Sequence, residues 1–160
     1  MIEVNINETP YSTRTNWNEI TYSGYCDLVK VAEKPFAERL SVYTGITIDD
    51  VNRMKLKQFA LLSEVVEFMD DFESVNAFAI GYESDVKISE QPYWKIEKAK
   101  QLLKDVKQPI LVAGEIVKLY TSDNEGEGGT DISDMPITEA IGMASFFLSN
   151  CQSSLSDSNA

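Results

Sequence analysis

The chain has 160 residues, 43% of them hydrophobic, which suits one domain with a proper core and no covalent staples. It contains no histidine, so the usual Ser-His-Asp and Cys-His nucleophile systems and most zinc chemistry are excluded. Its formal charge of -12 disfavours direct contact with nucleic acid, where Lys and Arg must neutralise phosphates.

Residues 1–16 read as an extended N-terminal arm, because Ile2, Val4 and Ile6 alternate with polar residues. After Trp17, Thr21 is placed to cap a helix whose buried face is Tyr25, Leu28, Val29 and Ala32. Pro35 opens a second helix with Phe36, Leu40 and Tyr43 inward, and Gly45 ends it. Thr47 caps a short turn, with Asp49 and Asp50 against the positive end of its dipole. A longer helix follows from about Lys55 to Asp70, burying Phe59, Leu62, Val66 and Met69. The apolar run Ala77 to Tyr82, the turn at Glu83-Ser84-Asp85 and the return Val86-Lys87-Ile88 suggest a small β-hairpin.

Pro92 then opens a helix with Trp94, Ile96, Ala99, Leu103 and Val106 inward and Lys95, Lys98 and Lys104 in water. Pro109 opens the next, which aligns Ala113, Ile116, Val117 and Tyr120. A Gly-rich acidic loop covers 121–136, and a last helix buries Ile137, Ile141, Ala144 and Leu148. This order predicts a mainly α fold. It has an extended arm at 1–16, a single helical bundle with a small β-hairpin at 17–151, and a flexible tail at 152–160.

Several features bear on setting and partners. Cys26 and Cys151 match no metal-ligand spacing and read as buried thiols in a reducing compartment. The first ten residues lack the basic and apolar regions of a secretory signal. The longest apolar run, Ala140 to Leu148, is far short of the roughly 20 residues that span a bilayer. The expectation is a soluble protein of the cytoplasm that binds neither membrane nor nucleic acid. Charge is uneven: residues 1–86 carry 15 acids against 7 bases, 87–118 carry 4 against 7, and 119–160 carry 7 acids and no base. The basic stretch should therefore dock on an acidic neighbour, in this chain or in a partner.

Two kinds of site stand out. The loop from Asp123 to Asp134 can be set against a twelve-residue calcium loop. Asp123, Glu125, Glu127, Asp131 and Asp134 then fall at ligand positions and Gly128 at the sharp turn. Glu at the third and fifth positions is long, Asp134 is short for a closing bidentate ligand, and a solvated connection is the competing reading. Glu64, Glu67 and Asp71 share one helix face and read as a wet surface rather than an acid–base pair. Candidate partner-binding residues are Ile2, Val4 and Ile6 on the arm, by strand addition, with Trp17, Tyr93 and Trp94 as aromatic anchors beside Lys95 and Lys98. No constellation of nucleophile and base is present, so the chain reads as a binding protein without catalysis and without a cofactor, calcium excepted.

The stretches Trp17-Asn-Glu-Ile-Thr21, Glu38-Arg39-Leu40 to Gly45, Thr47-Ile-Asp-Asp50 and Pro136-Ile-Thr-Glu-Ala-Ile-Gly142 through Phe147 resemble the small helical tail and neck proteins of tailed bacteriophages. Assembly chaperones and adaptor-like proteins are of this kind. The resemblance implies a role in virion assembly or structure, exercised in the host cytoplasm or the virion. It implies contact with other phage structural proteins, in an oligomeric assembly. The alternative is a calcium-responsive module built on residues 123–134.

Overall fold

A computed structural model describes residues 1–158. In chain order it contains β1 (Ile2–Ile6), β2 (Thr9–Thr13), α1 (Tyr22–Lys30), α2 (Phe36–Thr44), α3 (Ile48–Arg53), α4 (Leu56–Val66), α5 (Tyr93–Leu103), α6 (Ala113–Thr121) and α7 (Ile137–Ser158). The fold is mainly helical, and its one hairpin among the described residues is the antiparallel pair β1–β2.

The helix starts follow from local chemistry. Thr21 Oγ1 accepts the Gly24 amide at 3.1 Å, and Thr47 Oγ1 accepts that of Asp50 at 3.2 Å. Gly45 closes α2 in the left-handed region at φ 75°. α6 and α7 form the centre, where Ile116, Val117 and Tyr120 meet Ile141, Ala144 and Phe147, all buried. The rings of Tyr120 and Phe147 stack at 6.3 Å. Burying each large apolar side chain contributes about 1.5–3 kcal/mol, so this layer is a substantial source of stability.

The hairpin stands elsewhere than the sequence suggested. Residues 77–88 hold no strand: a 3-10 segment spans Phe72–Ala79 and another Ile88–Glu90. Asp71 starts the first by accepting the Ser74 amide, and Phe72 turns into an aromatic cluster with Trp17 and Tyr25. The arm at 1–16, by contrast, folds back on itself. Asn7 and Glu8 adopt φ 50° and 68°, the pattern of a tight primed turn whose twist matches the strands it joins. Ile6 and Thr13 are buried against the body, and the Tyr11 hydroxyl donates to Asp50 Oδ2 at 2.6 Å.

The two ends of the fold are tied together. Tyr22 N donates to Met135 O at 2.9 Å, and Ile137 N donates to Ile20 O at 2.7 Å. The tail expected from residue 152 begins inside α7, which runs to Ser158; residues 159 and 160 lie outside the described residues. Among the described residues no helix is long and apolar enough to cross a membrane.

Candidate functional site

The residues expected to bind a partner separate into three places. Trp17 is in the core. Its ring lies 5.1 Å from that of Phe68 and 5.7 Å from that of Tyr25, and Nε1 donates to Ser74 Oγ at 2.9 Å. It is a structural anchor, not an exposed one, because the 3-10 turn at Trp17–Glu19 points it inward.

Tyr93, Trp94, Lys95 and Lys98 lie on α5. Tyr93 is exposed and donates to Glu97 Oε1 at 2.6 Å. Trp94 is 40% exposed and sits over the acidic loop, with Nε1 donating to Asn124 O at 3.1 Å. Lys98 is exposed, but Lys95 is wholly buried, which corrects its assignment to the wet face. Its Nζ donates to Gln91 Oε1 at 3.0 Å and Ser122 O at 2.7 Å. Burial lowers its pKa, and the nearby Asp123 charge opposes that shift. The sequence missed this because a buried Lys shows no signal until its acceptors are known.

Lys95 belongs to a clasp that accounts for most of the acidic loop. Asp123 Oδ1 accepts the amides of Glu125 at 3.0 Å and Glu127 at 2.9 Å, and these hydrogen bonds hold its carboxyl below the usual range. Asp131 is likewise lowered by hydrogen bonds from Ser133, with a smaller contribution from Lys118. Gly129 passes so close to α6 that a Cβ there would lie 2.0 Å from Lys118 O. Ile132 is buried. Of the basic stretch, Lys95 thus feels the charge of Asp123 and Lys118 that of Asp131. Glu125, Glu127, Asp131 and Asp134 do not converge with Asp123: no group of three or more His, Cys, Asp or Glu is arranged for a metal ion among the described residues.

The third place is the hairpin. β1 and α4 enclose an open groove of about 340 Å³, lined by Ile2, Val4 and Ile6 on one side and Leu61, Leu62 and Val65 on the other. These positions are i, i+2, i+4 on the strand and i, i+1, i+4 on the helix, so each element offers one apolar face. Ile6 and Leu62 form the floor, while Ile2 is 39% and Leu61 58% exposed. Leu56, the first residue of α4, is also exposed. The strand half was legible in the alternation of residues 2–6. The helix half was not, because Leu61 and Val65 fall outside the expected stripe of Phe59, Leu62, Val66 and Met69 and nothing local shows what faces them.

Val65 also lines a second, acidic depression, with Thr15, Glu64, Glu67, Phe68 and Asp71. Cys26 and Cys151 are free and buried, and burial raises both thiols. No protein-family model, no characterised protein and no solved structure matches this chain.

Proposed function

We propose that this chain is a non-catalytic protein-binding component of tail or neck assembly in a tailed bacteriophage, working in the host cytoplasm on other phage structural proteins. The observation that carries the reading is the apolar groove between β1 and α4, with Ile2 and Leu61 held in water. Large exposed apolar side chains gathered at one groove are typical of protein contact sites. The resemblance of residues 17–50 and 136–147 to small phage tail and neck proteins supports the class of partner. The acidic surface supports a protein partner over DNA. The test is to purify the chain together with the tail and neck proteins encoded beside it and weigh the product by light scattering. The expected result is a complex of fixed stoichiometry, and a lone monomer that binds none of them overturns the reading.

A further inference from the structure

The geometry points to strand addition: β1 accepts, antiparallel to itself, an extended peptide segment with apolar residues at alternate positions and Lys or Arg at its C-terminal end. This deepens the protein-binding reading above and rests on it.

Pro10 fixes the hydrogen-bonding pattern of the hairpin. In the ladder Asn5 faces Pro10, and the flanking pairs are Val4–Tyr11 and Ile6–Thr9. Residues of a hydrogen-bonded antiparallel pair exchange two N–H···O bonds, and proline has no N–H to give. Asn5–Pro10 is therefore a non-hydrogen-bonded pair, and by alternation so is Glu3–Ser12. It follows that the amides and carbonyls of Glu3 and Asn5 point away from β2, along the outer edge of β1. Both residues are exposed. The outer edge of β2, by contrast, is interrupted where Pro10 lacks its donor, one of the ways natural sheets blunt an edge. The hairpin thus has one closed edge and one open edge, and the open one borders the groove.

Each component of a strand-addition site is then present. Main-chain donors and acceptors lie along β1, and alternate side chains of an incoming strand would fall toward Leu61, Leu62 and Val65. Charge selects the occupant. Thr13 pairs with Ile2, so Thr15 lies at the Ile2 end of the hairpin, and there Val65 separates the groove from the depression lined by Thr15, Glu64, Glu67 and Asp71. The opposite end, at Gln58, adjoins the exposed Lys55 and Lys57. A strand antiparallel to β1 ends beside Ile2, so its C-terminal residues meet the carboxylates. A second copy of this chain, at a net charge of -12, is a poor occupant by the same reasoning.

The experiment uses the whole chain and a fluorescein-labelled synthetic peptide, Val-Thr-Val-Thr-Val-Lys-Lys, followed by fluorescence anisotropy. Its partner probe ends in Glu-Glu. Asn5→Pro removes one outward donor and leaves the β1–β2 ladder intact, and Leu61→Asp puts a charge on an exposed wall without disturbing the core. The Lys-Lys peptide should bind, the Glu-Glu peptide at least about tenfold more weakly, and each variant should weaken the Lys-Lys peptide by about tenfold. Equal binding of both peptides, unchanged binding by both variants, or no binding at millimolar peptide overturns the proposal. So does a wild-type dimer that Asn5→Pro dissociates, which would put a second copy on the edge. A complex with neighbouring virion proteins that survives both variants also sinks strand addition, while leaving the assembly reading standing.

Discussion

Replacing Gly129 by Ala tests whether the acidic loop is a fixed clasp. The new Cβ would stand 2.0 Å from Lys118 O and 2.8 Å from its carbonyl carbon, atoms of the α6 backbone that cannot rotate aside. A carbon–oxygen contact needs more than 3 Å, roughly, so the loop must lift by about 1 Å. That displacement breaks the bond from Thr130 N to Thr121 Oγ1, 2.8 Å long, and loosens Ile132 from its buried site. One lost hydrogen bond at about 1 kcal/mol and the loosened packing of an isoleucine at about 2 kcal/mol give a total near 3 kcal/mol. Gly128→Ala is the control. It has open space around it and only the strain of φ +75°, about 1 kcal/mol. In urea unfolding followed by tryptophan fluorescence, Gly129→Ala should therefore lose about 2 kcal/mol more than Gly128→Ala, or roughly 4–8 °C in Tm. Equal losses would show that the loop yields freely and that the clasp is not a structural element.

Other consequences are as direct. Trp17→Ala should cost about 3–5 kcal/mol in urea unfolding, because a buried indole and its bond to Ser74 are lost together; a loss under about 1 kcal/mol would mean the aromatic cluster of Trp17, Tyr25, Phe68 and Phe72 is not a structural anchor. Asp123→Asn keeps an oxygen for the two amides and should melt close to the wild type, whereas Asp123→Ala should melt measurably lower by calorimetry. Millimolar calcium should leave the wild-type midpoint unchanged, since Asp123 Oδ1 already accepts two amides, and a raised midpoint would make the loop a cation site. Burial raises four tyrosines above their ordinary value of 10.0, Tyr25 and Tyr43 to about 12, with Tyr22 and Tyr120 also raised. The folded state keeps these protons longer than the unfolded one, so their stabilisation is complete below pH 10 and lost as pH rises through about 12. Lys95, lowered by burial, works in the opposite sense on approach to 10.5, but one group is outweighed by four. Absorbance at 295 nm should show these tyrosines ionising together with unfolding; independent ionisation near pH 10 in a folded chain would contradict their burial.

What the sequence made legible was local. Thr21, Thr47, Pro35, Pro92 and Gly45 mark helix ends in the structure, because caps and breakers act through atoms a few residues apart. The inward stripes of α1, α2, α6 and α7 followed from spacing alone, with Phe147 rather than Leu148 completing the last. What escaped detection depends on long-range partners. The Asn7-Glu8 turn lacks the glycine that usually advertises a primed turn, so the arm looked open-ended. The run Ala77 to Tyr82 is apolar enough for a strand, yet Asp71 and the aromatic cluster hold Phe72–Ala79 as a 3-10 segment. Lys95 looks like a surface residue until Ser122 O is brought beneath α5 from 27 positions away. The groove was half visible, since residues 2–6 announced an apolar face and nothing announced that Leu61 would stand opposite it in water.

Amide hydrogen exchange, measured on the chain alone and with the Val-Thr-Val-Thr-Val-Lys-Lys peptide bound, tests the central claim most directly. The account predicts slowed exchange concentrated at residues 2–6 and across α4, with α5 and the clasp unchanged. A stoichiometric complex that protects neither the open edge of β1 nor α4 would contradict it.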